Sequence, residues 1–243
     1  MIDLTGRVVL VTGANGGIGA ATVERLVACG ADVVAHDLRA PADGEHVHGL
    51  AADLADPHAA RDLWARAWAW RDRIDVLVNC AGIYLPAAVD DDFDEWVASW
   101  RRTLDVNLLA SAVLCREAIR AFRERGGGIV VNFASRAAWR GDDAEYQGYA
   151  ASKSAVVAMT KTIARHHGRE GITAFAVAPG WVHTDFNKDF FDRYGVAAAA
   201  ETIPLGEVAE PGDIANTVAF LASGLARHAT GATIDLNGAS YVR

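Results

Sequence analysis

The stretch Arg7-Val-Val-Leu-Val-Thr-Gly-Ala-Asn-Gly-Gly-Ile-Gly19 decides the fold. Its first half is a short apolar run rich in β-branched residues, which is typical of a buried strand. Residues 20–29, after the glycines, have the apolar spacing of a helix that packs on a sheet. Glycine lets a backbone approach a phosphate closely, and a helix N-terminus offers free N–H groups and a favourable dipole. The stretch therefore predicts a strand, a phosphate-binding turn and a helix.

A second apolar run, residues 31–37, ends in a carboxylate 18 positions after Gly19. An acidic side chain at that point can accept hydrogen bonds from the hydroxyls of an adenosine ribose, and it repels a 2′-phosphate. Gly16 precedes Gly17, so no basic residue stands there to bind such a phosphate. Arg39, two positions beyond Asp37, is the feature that would tolerate NADP. The pattern predicts NAD rather than NADP.

The segment Tyr149-Ala-Ala-Ser-Lys153 carries the chemistry. Lysine is rare in this chain, and a Tyr-x-x-x-Lys spacing is expected only about 0.06 times by chance. On a helix both side chains share one face, where the ammonium would lower the phenol pKa from its ordinary value of about 10. Ser135 follows the apolar run 128–133 and would lie at the carboxyl end of a strand. Together these groups suit proton transfer to an oxygen whose carbon exchanges a hydride with a nicotinamide.

The composition narrows the class of protein. A chain of 243 residues with 51% hydrophobic residues fits one α/β domain, and a net charge of −8 argues against a nucleic-acid partner. No run is long enough for a membrane span and no signal-like segment begins the chain, so we expect a cytoplasmic protein without a membrane partner. His46 with His48, and His166 with His167, lack a third ligand at metal spacing, so we expect no metal site.

Strand-like and helix-like segments alternate along the chain without an internal repeat. This order predicts a doubly wound parallel α/β sheet of about seven strands with helices on both faces. Residues 183–206 contain four aromatic side chains with no phosphate or ribose role, and we expect them to form a lid over the substrate. Strands are expected near 7–12, 32–37, 47–51, 74–79, 128–134, 172–178 and 231–236, and helices near 17–29, 57–71, 94–124, 147–169 and 211–223.

These motifs, in this order and spacing, resemble the short-chain dehydrogenase/reductase family in its single-domain branch. The resemblance covers essentially the whole chain and implies one Rossmann-like NAD(P)-binding domain over residues 1–243 that assembles as a homotetramer. It also implies four catalytic residues. Tyr149 would be the acid/base and Ser135 the substrate holder. Lys153 would lower the pKa of the tyrosine and bind the ribose, and Asn107 would hold a relay water.

The resemblance further implies a set of cofactor contacts and shows three departures. Cys80 replaces the second Asn of the family's Asn-Asn-Ala-Gly turn, and the 14 positions from Ser135 to Tyr149 predict a bulge. The short distance from Asp37 to Asp53 leaves no room for a helix between the second and third strands. The implied cofactor-binding residues are Gly13, Asn15, Gly17, Ile18, Gly19, Asp37, Leu38, Asp53, Leu54, Asn79, Ala81, Gly82, Tyr149, Lys153, Pro179, Gly180, Val182 and Thr184.

The expected substrate pocket is largely aromatic. Ser135, Tyr84, Trp139 and Trp181 would line it and accept an apolar or cyclic body. Two nearby arginines could meet a carboxylate or phosphate, but surface ion pairs are the favoured interpretation for both. These arginines are Arg136 and Arg140, and their expected partners are Asp142, Asp143 or Glu145.

Four functions are compatible with these patterns. The leading hypothesis is an oxidoreductase that transfers a hydride between NAD(H) and a secondary alcohol or its ketone, on a small or cyclic metabolite. An NADPH-dependent 3-oxoacyl-thioester (acyl carrier protein) reductase is the second, and Asp37 and Gly16 argue against its cofactor. A dihydrodiol dehydrogenase is the third. The fourth is a non-catalytic nucleotide-binding scaffold, against which the intact catalytic set argues.

Overall fold

The computed structural model describes residues 2–243, and within them seven strands form one parallel sheet. The strand order is β3-β2-β1-β4-β5-β6-β7. The apolar runs identified in the sequence form these strands, three of which are buried at every residue, so the predicted fold class is confirmed. The strands are β1 Val8–Thr12, β2 Asp32–Asp37, β3 Val47–Ala51, β4 Val76–Asn79, β5 Gly128–Phe133, β6 Ile172–Pro179 and β7 Thr233–Leu236.

Each of the five predicted helical segments is helical, and two further helices lie within residues 137–140 and 188–200. No helix lies between β2 and β3, as the short distance between them predicts. Within residues 2–243, no helix is both long enough and apolar enough to cross a membrane. The helices are α1 Gly17–Ala28, α2 Pro57–Ala69, α3 Phe93–Leu104, α4 Ala110–Arg125, α5 Ala137–Arg140, α6 Gln147–His167, α7 Lys188–Ala200 and α8 Pro211–Ala222, with short 3₁₀ turns at Ala144–Tyr146, Gly168–Glu170, Asp185–Asn187 and Arg227–Ala229.

Two hydrophobic cores cover the two faces of the sheet. Helices α2, α4 and α6 cover one face, where Leu63 and Phe122 are fully buried. Helices α1 and α8 cover the other face with Leu26 and Val218. A parallel sheet buried on both faces is held by this double layer of helices.

The direction of winding reverses at β1. From β1 the sheet continues to β2 on one side and to β4 on the other, so Thr12 pairs with both His36 and Asn79. Where the strand order reverses, the loops leave the carboxyl ends in opposite directions and open a crevice. The glycine turn after β1 and the residues after β4 therefore meet at this crevice.

The predicted helix 94–124 contains an interruption. Residues Asp105–Leu109 form a π-helical turn between α3 and α4, where the Ala110 N–H donates to the Asp105 carbonyl. Such a turn inserts one extra residue and rotates the side chains that follow. It places Asn107 in the interior, with 1% of its surface exposed.

Candidate active site

Ser135, Tyr149 and Lys153 come together at the carboxyl end of β5. Tyr149 and Lys153 lie one turn apart near the start of α6, and the lysine Nζ is 5.7 Å from the centroid of the tyrosine ring. Nζ donates to the carbonyl of Phe133, the last residue of β5, over 2.9 Å. The Ser135 hydroxyl accepts from the Ala137 N–H and lies close enough to the Tyr149 phenol to act on its pKa. A phenol, a hydroxyl and an amine thus share one corner of the crevice.

Burial sets the protonation of this corner. It raises the pKa of Tyr149 to about 12, with the nearby Ser135 hydroxyl opposing the rise and the charge of Asp142 adding to it. Burial also lowers the pKa of Lys153 to about 8. The net shift of the tyrosine pKa is therefore upward, against the expected lowering, because removal from water disfavours the charged phenolate. At neutral pH the phenol carries its proton.

Asn107 is fixed against the backbone beside Lys153. Its Oδ1 accepts from the Ile83 N–H over 2.8 Å, and its Nδ2 donates to the Ile83 carbonyl and to Ser152 Oγ. Gly82 lies between Asn107 and Lys153, and a Cβ on it would lie 3.4 Å from the Asn107 Oδ1 and 3.3 Å from the Lys153 Nζ. The π-helical turn thus brings an amide next to the amine.

The turn after β1 has no room for a side chain at Gly13 or Gly19. A Cβ on Gly13, which has a φ of +73°, would lie 2.8 Å from the Ala81 Cα, and a Cβ on Gly19 would lie 1.9 Å from the Gly13 carbonyl oxygen. Gly16 is the N-cap of α1 and makes no side-chain hydrogen bond, so the first N–H groups of the helix remain free donors. Uncapped donors and the helix dipole form an anion site suited to a pyrophosphate.

Thr12 joins the glycine turn to the turn after β4. Its Oγ1 accepts from the N–H groups of Cys80 and Ala81, both over 3.1 Å. The Asn79 side chain points away from the crevice and donates to Asn132 Oδ1 over 2.8 Å in the interior. The sequence pattern identified Asn79 as a cofactor residue but did not reveal the direction of its side chain, or the linking role of Thr12.

Asp37 lies at the outer edge of the glycine turn. Its Oδ2 accepts from the Asn15 N–H over 2.9 Å, and its Oδ1 accepts from the Leu38 N–H over 2.7 Å. The Asn15 side chain donates to the Arg39 carbonyl over 2.8 Å. A carboxylate is therefore held beside the pyrophosphate position, where the adenosine ribose of a bound dinucleotide would lie.

Asp53 has a partner that the sequence did not reveal. Arg102 of α3 donates from both terminal nitrogens to its carboxylate over 3.2–3.3 Å. The Ala55 N–H and this guanidinium hold the pKa of Asp53 below its usual range. Leu54 beside it is buried. The pair lies in the open, each side chain about half exposed.

The segment after β6 closes the crevice from the opposite side. Gly180 donates to the Leu236 carbonyl, and a Cβ on it would lie 2.8 Å from the Asn237 Cβ, so Pro179–Gly180 is packed against the chain after β7. Val182 is buried, and Thr184 reaches back to the glycine turn. A Cβ on Gly17 would lie 2.5 Å from the Thr184 Cγ2. The two sides of the crevice therefore meet over the start of α1.

Aromatic rings surround the Tyr149 phenol. Tyr84 stands edge-on to Tyr149 at 4.8 Å between centroids and stacks on Tyr146 at 3.7 Å. Phe186 lies 5.7 Å from Tyr84 and 6.1 Å from Tyr149. A second group surrounds Trp181, whose ring centroid is 4.4 Å from that of Phe190. These aromatic groups make an apolar wall beside the polar corner.

Trp139 does not join these rings. It packs against the small buried cluster that contains Ala134 and Val157, under the Arg243 guanidinium at 4.0 Å. The bulge expected between Ser135 and Tyr149 takes the form of α5, which ends at Gly141 with a φ of 76°.

The two arginines of this segment make no ion pair. Within residues 2–243, no carboxylate lies within 4.0 Å of Arg136 or Arg140, so the favoured surface pairs are wrong. Arg140 is exposed, whereas Arg136 is buried over Trp181. In the same part of the chain, no three potential ligands among His, Cys, Asp and Glu form a metal-sized group.

Comparison with known proteins defines the class. The model of a family described as enoyl-(acyl carrier protein) reductase matches residues 13–238. A 3-oxoacyl-[acyl-carrier-protein] reductase, FabG of Rickettsia conorii, is 34% identical, with 98% of each chain covered. Among solved structures, a candidate NAD(P)-dependent gluconate 5-dehydrogenase from Beutenbergia cavernae, with bound NADP, has a TM-score of 0.89 at 33% identity, covering 98% of this chain and 97% of the other. The structure of the Brucella melitensis 3-ketoacyl-(acyl-carrier-protein) reductase, complexed with NADH, has a TM-score of 0.89 at 28% identity and covers 99% of this chain and 100% of the other.

A crevice built on a glycine turn, with a buried tyrosine beside it, defines a nicotinamide-dependent oxidoreductase. The chain belongs to the short-chain dehydrogenase/reductase family, whose members are NAD(P)-dependent.

Proposed function

We propose that the protein is an NAD-dependent dehydrogenase, or carbonyl reductase, that acts on a secondary alcohol or its ketone in a small or cyclic metabolite. The observation that carries this proposal is the buried Tyr149 phenol, one helical turn from Lys153 and close enough to the Ser135 hydroxyl for that group to lower its pKa. It lies at the edge of the sheet to which the glycine turn also belongs.

The residues divide the chemistry among them. In the reducing direction a nicotinamide cofactor held in the crevice would supply a hydride for the carbonyl carbon. Tyr149 donates its phenolic proton to the carbonyl oxygen, and Ser135 donates a hydrogen bond to the same oxygen. Lys153 binds the ribose and stabilises the phenolate that remains, and Asn107 holds a relay water behind the lysine. Oxidation runs through the same groups, with Tyr149 as the base.

Asp37 supports NAD rather than NADP. Its carboxylate is held by two backbone N–H groups at the ribose position, where it would accept from the ribose hydroxyls and repel a phosphate. Arg39 extends from the neighbouring loop and would be the phosphate ligand if NADP were bound. Titration with NADH and NADPH tests this preference, because NADPH binding more tightly would contradict the role of Asp37.

Residues 183–206 would form the substrate lid. Phe186 touches the Tyr84–Tyr149 group and Phe190 touches Trp181, so this segment covers both aromatic groups. Gly195, with a φ of 81°, breaks α7 and offers a hinge. We further propose a homotetramer paired through the long helices α4 and α6. A cytoplasmic location stays a prediction of the sequence.

A 3-oxoacyl-thioester reductase is the second candidate. The matched family model and the Rickettsia conorii relative favour it, because both are named for acyl carrier protein reductases. Asp37 does not count against a thioester substrate itself, since the Brucella melitensis reductase is complexed with NADH. Turnover of an acetoacetyl thioester that exceeds turnover of all free ketones would put this function first.

Tyr149→Phe tests the proposed chemistry. The variant keeps the ring packing against Tyr84 but has no proton to donate, so we expect turnover to fall by at least about 1,000-fold while NADH affinity stays within about threefold. Tyr146→Phe is the matched control, because it removes a neighbouring phenol from the same aromatic group and should retain most activity. Equal losses in the two variants would contradict the assignment.

A further inference from the structure

Arg136 is a buried cation directly after Ser135. Its N–H donates to the Pro179 carbonyl over 3.1 Å, which fixes its backbone between the ends of β5 and β6. Only 7% of its surface is exposed. The guanidinium lies 5.2 Å from the centroid of the Trp181 ring, and Nη1 donates to Ser240 Oγ over 2.6 Å. The residue is therefore held by contacts from two separate parts of the chain, residues 179–181 and Ser240.

This cation makes no ion pair within residues 2–243, although the charge of Asp142 acts on it from farther away. No carboxylate in residues 2–243 comes within 4.0 Å of it. Burial lowers its pKa to about 10, with Arg140 acting the same way, so the group still carries its charge at neutral pH. Burying an unpaired charge is unfavourable, whereas pairing it with an anion recovers much of the lost solvation.

Most of the guanidinium donors are still free. Of five N–H groups, the hydrogen bond to Ser240 uses one. None of the Arg136 nitrogens is among the fully buried polar atoms that lack a partner, so each free donor keeps some contact with solvent. A planar fork of free donors is the group that binds a carboxylate through two parallel hydrogen bonds.

The Arg136 guanidinium has neighbours in common with the candidate catalytic residues Ser135 and Tyr149. Trp181, under the guanidinium, touches Phe190 of the lid segment. Asp142 and Tyr84 both lie near enough to Arg136 to act on its pKa, and Tyr84 is edge-on to Tyr149. Ser135, the residue before Arg136 in the chain, lies beside the Tyr149 phenol. One small molecule could thus place an anionic group on Arg136 and an oxygen beside Tyr149 and Ser135.

We infer that Arg136 binds a carboxylate of the substrate, so that the substrate is a short hydroxy acid and the product the corresponding keto acid. This inference rests on the proposed dehydrogenase function. The carboxylate would pair with the guanidinium fork, and the carbinol carbon, some bonds away, would stand beside Tyr149. In the oxidation the carbinol hydride would pass to NAD, which becomes NADH, the hydroxyl proton would pass to deprotonated Tyr149, and the carboxylate would stay unchanged.

The test compares each hydroxy acid with its methyl ester. A panel of 2-, 3- and 4-hydroxy acids of four to six carbons, polyhydroxy acids included, is assayed with NAD and NADP beside the matching esters. We expect kcat/KM for at least one acid to exceed that of its ester by at least about 100-fold, and Arg136→Gln to remove this preference with little change on the ester. Arg136→Lys should restore part of it. Arg140→Gln, which alters an exposed arginine four positions on, is the matched control.

Other results would overturn the inference. One such result is a higher kcat/KM for an ester than for its acid. Another is an equal loss of kcat/KM on acid and ester in Arg136→Gln. A change of oligomeric state in Arg136→Gln with no change in acid preference would assign the fork to a second copy of the chain. If no acid or ester is turned over and none shifts the melting temperature of the NADH complex, the dehydrogenase proposal fails as well. Turnover of esters alone retains that proposal and rejects the carboxylate.

Discussion

Lys153→Met should make the protein more stable at neutral pH while abolishing turnover. Burial moves the pKa of Lys153 from 10.5 to about 8. Each unit corresponds to 1.36 kcal/mol, so holding the ammonium inside costs about 3 kcal/mol below pH 8. Methionine fills similar space without a charge but gives up the hydrogen bond to Phe133, which contributes about 1 kcal/mol. The expected gain at pH 7 is about 2 kcal/mol.

The gain should disappear in alkaline solution. Between pH 8 and 10.5 the unfolded chain keeps the lysine proton that the folded chain has lost, so the stability of the unmodified protein rises with pH over this window. The variant lacks that rise. Its advantage should therefore shrink from about 2 kcal/mol at pH 7 to near zero by pH 10, where only the lost hydrogen bond and a small remaining charge effect oppose each other.

Urea unfolding at pH 7 and pH 10, at one protein concentration, measures this difference. Lys161→Met is the matched control, because Lys161 lies two turns along α6 and is exposed. It removes the same charge from a protein of net charge −8, and we expect less than about 0.5 kcal/mol of change at either pH. The reasoning is refuted if Lys153→Met is destabilised at pH 7, or if its difference from the unmodified protein is the same at both pH values.

Three further predictions concern the cofactor and the acid/base. Asp37→Ser should raise the NADPH-to-NADH affinity ratio by at least about tenfold, because Arg39 would then meet a 2′-phosphate unopposed; an unchanged ratio in fluorescence titration contradicts this. Gly17→Ala should weaken NADH binding by at least about tenfold, since its Cβ would lie 2.5 Å from the Thr184 Cγ2, and Thr184→Ala should restore part of the loss in calorimetry. Because the pKa of Tyr149 is raised to about 12, alcohol oxidation should accelerate from pH 7 to pH 10, whereas ketone reduction should not; parallel profiles would argue against Tyr149 as the proton carrier.

The elements of the fold could be predicted because each is encoded locally. The alternation of buried runs and amphipathic segments gives strands and helices, and the glycine turn places the crevice. The missing helix between β2 and β3 follows from a count of residues. The π-helical turn at Asp105–Leu109 could not be predicted, because one inserted residue leaves the apolar spacing on either side nearly unchanged.

The site was predictable in its backbone and less so in its side chains. The positions of Tyr149, Ser135 and the glycines follow from spacing along single elements. The direction of Asn79 depends on Asn132 in the neighbouring strand. The burial of Arg136 depends on Trp181 and on Ser240, which lies 104 positions away. Composition alone places arginine at the surface, so only the tertiary structure reveals the buried cation.

Buried charges separate structural from functional positions in this molecule. Among residues 2–243, the buried aspartates, glutamates, lysines and arginines are Asp75, Arg136 and Lys153. Asp75 precedes β4 at the amino end of the sheet, where it accepts from the Val8 N–H and pairs with Arg73, so its charge is compensated within the fold. Arg136 and Lys153 lie at the carboxyl edge without a carboxylate partner. Folding gains nothing from an unpaired buried cation, so these two charges are best explained by the groups that bind there.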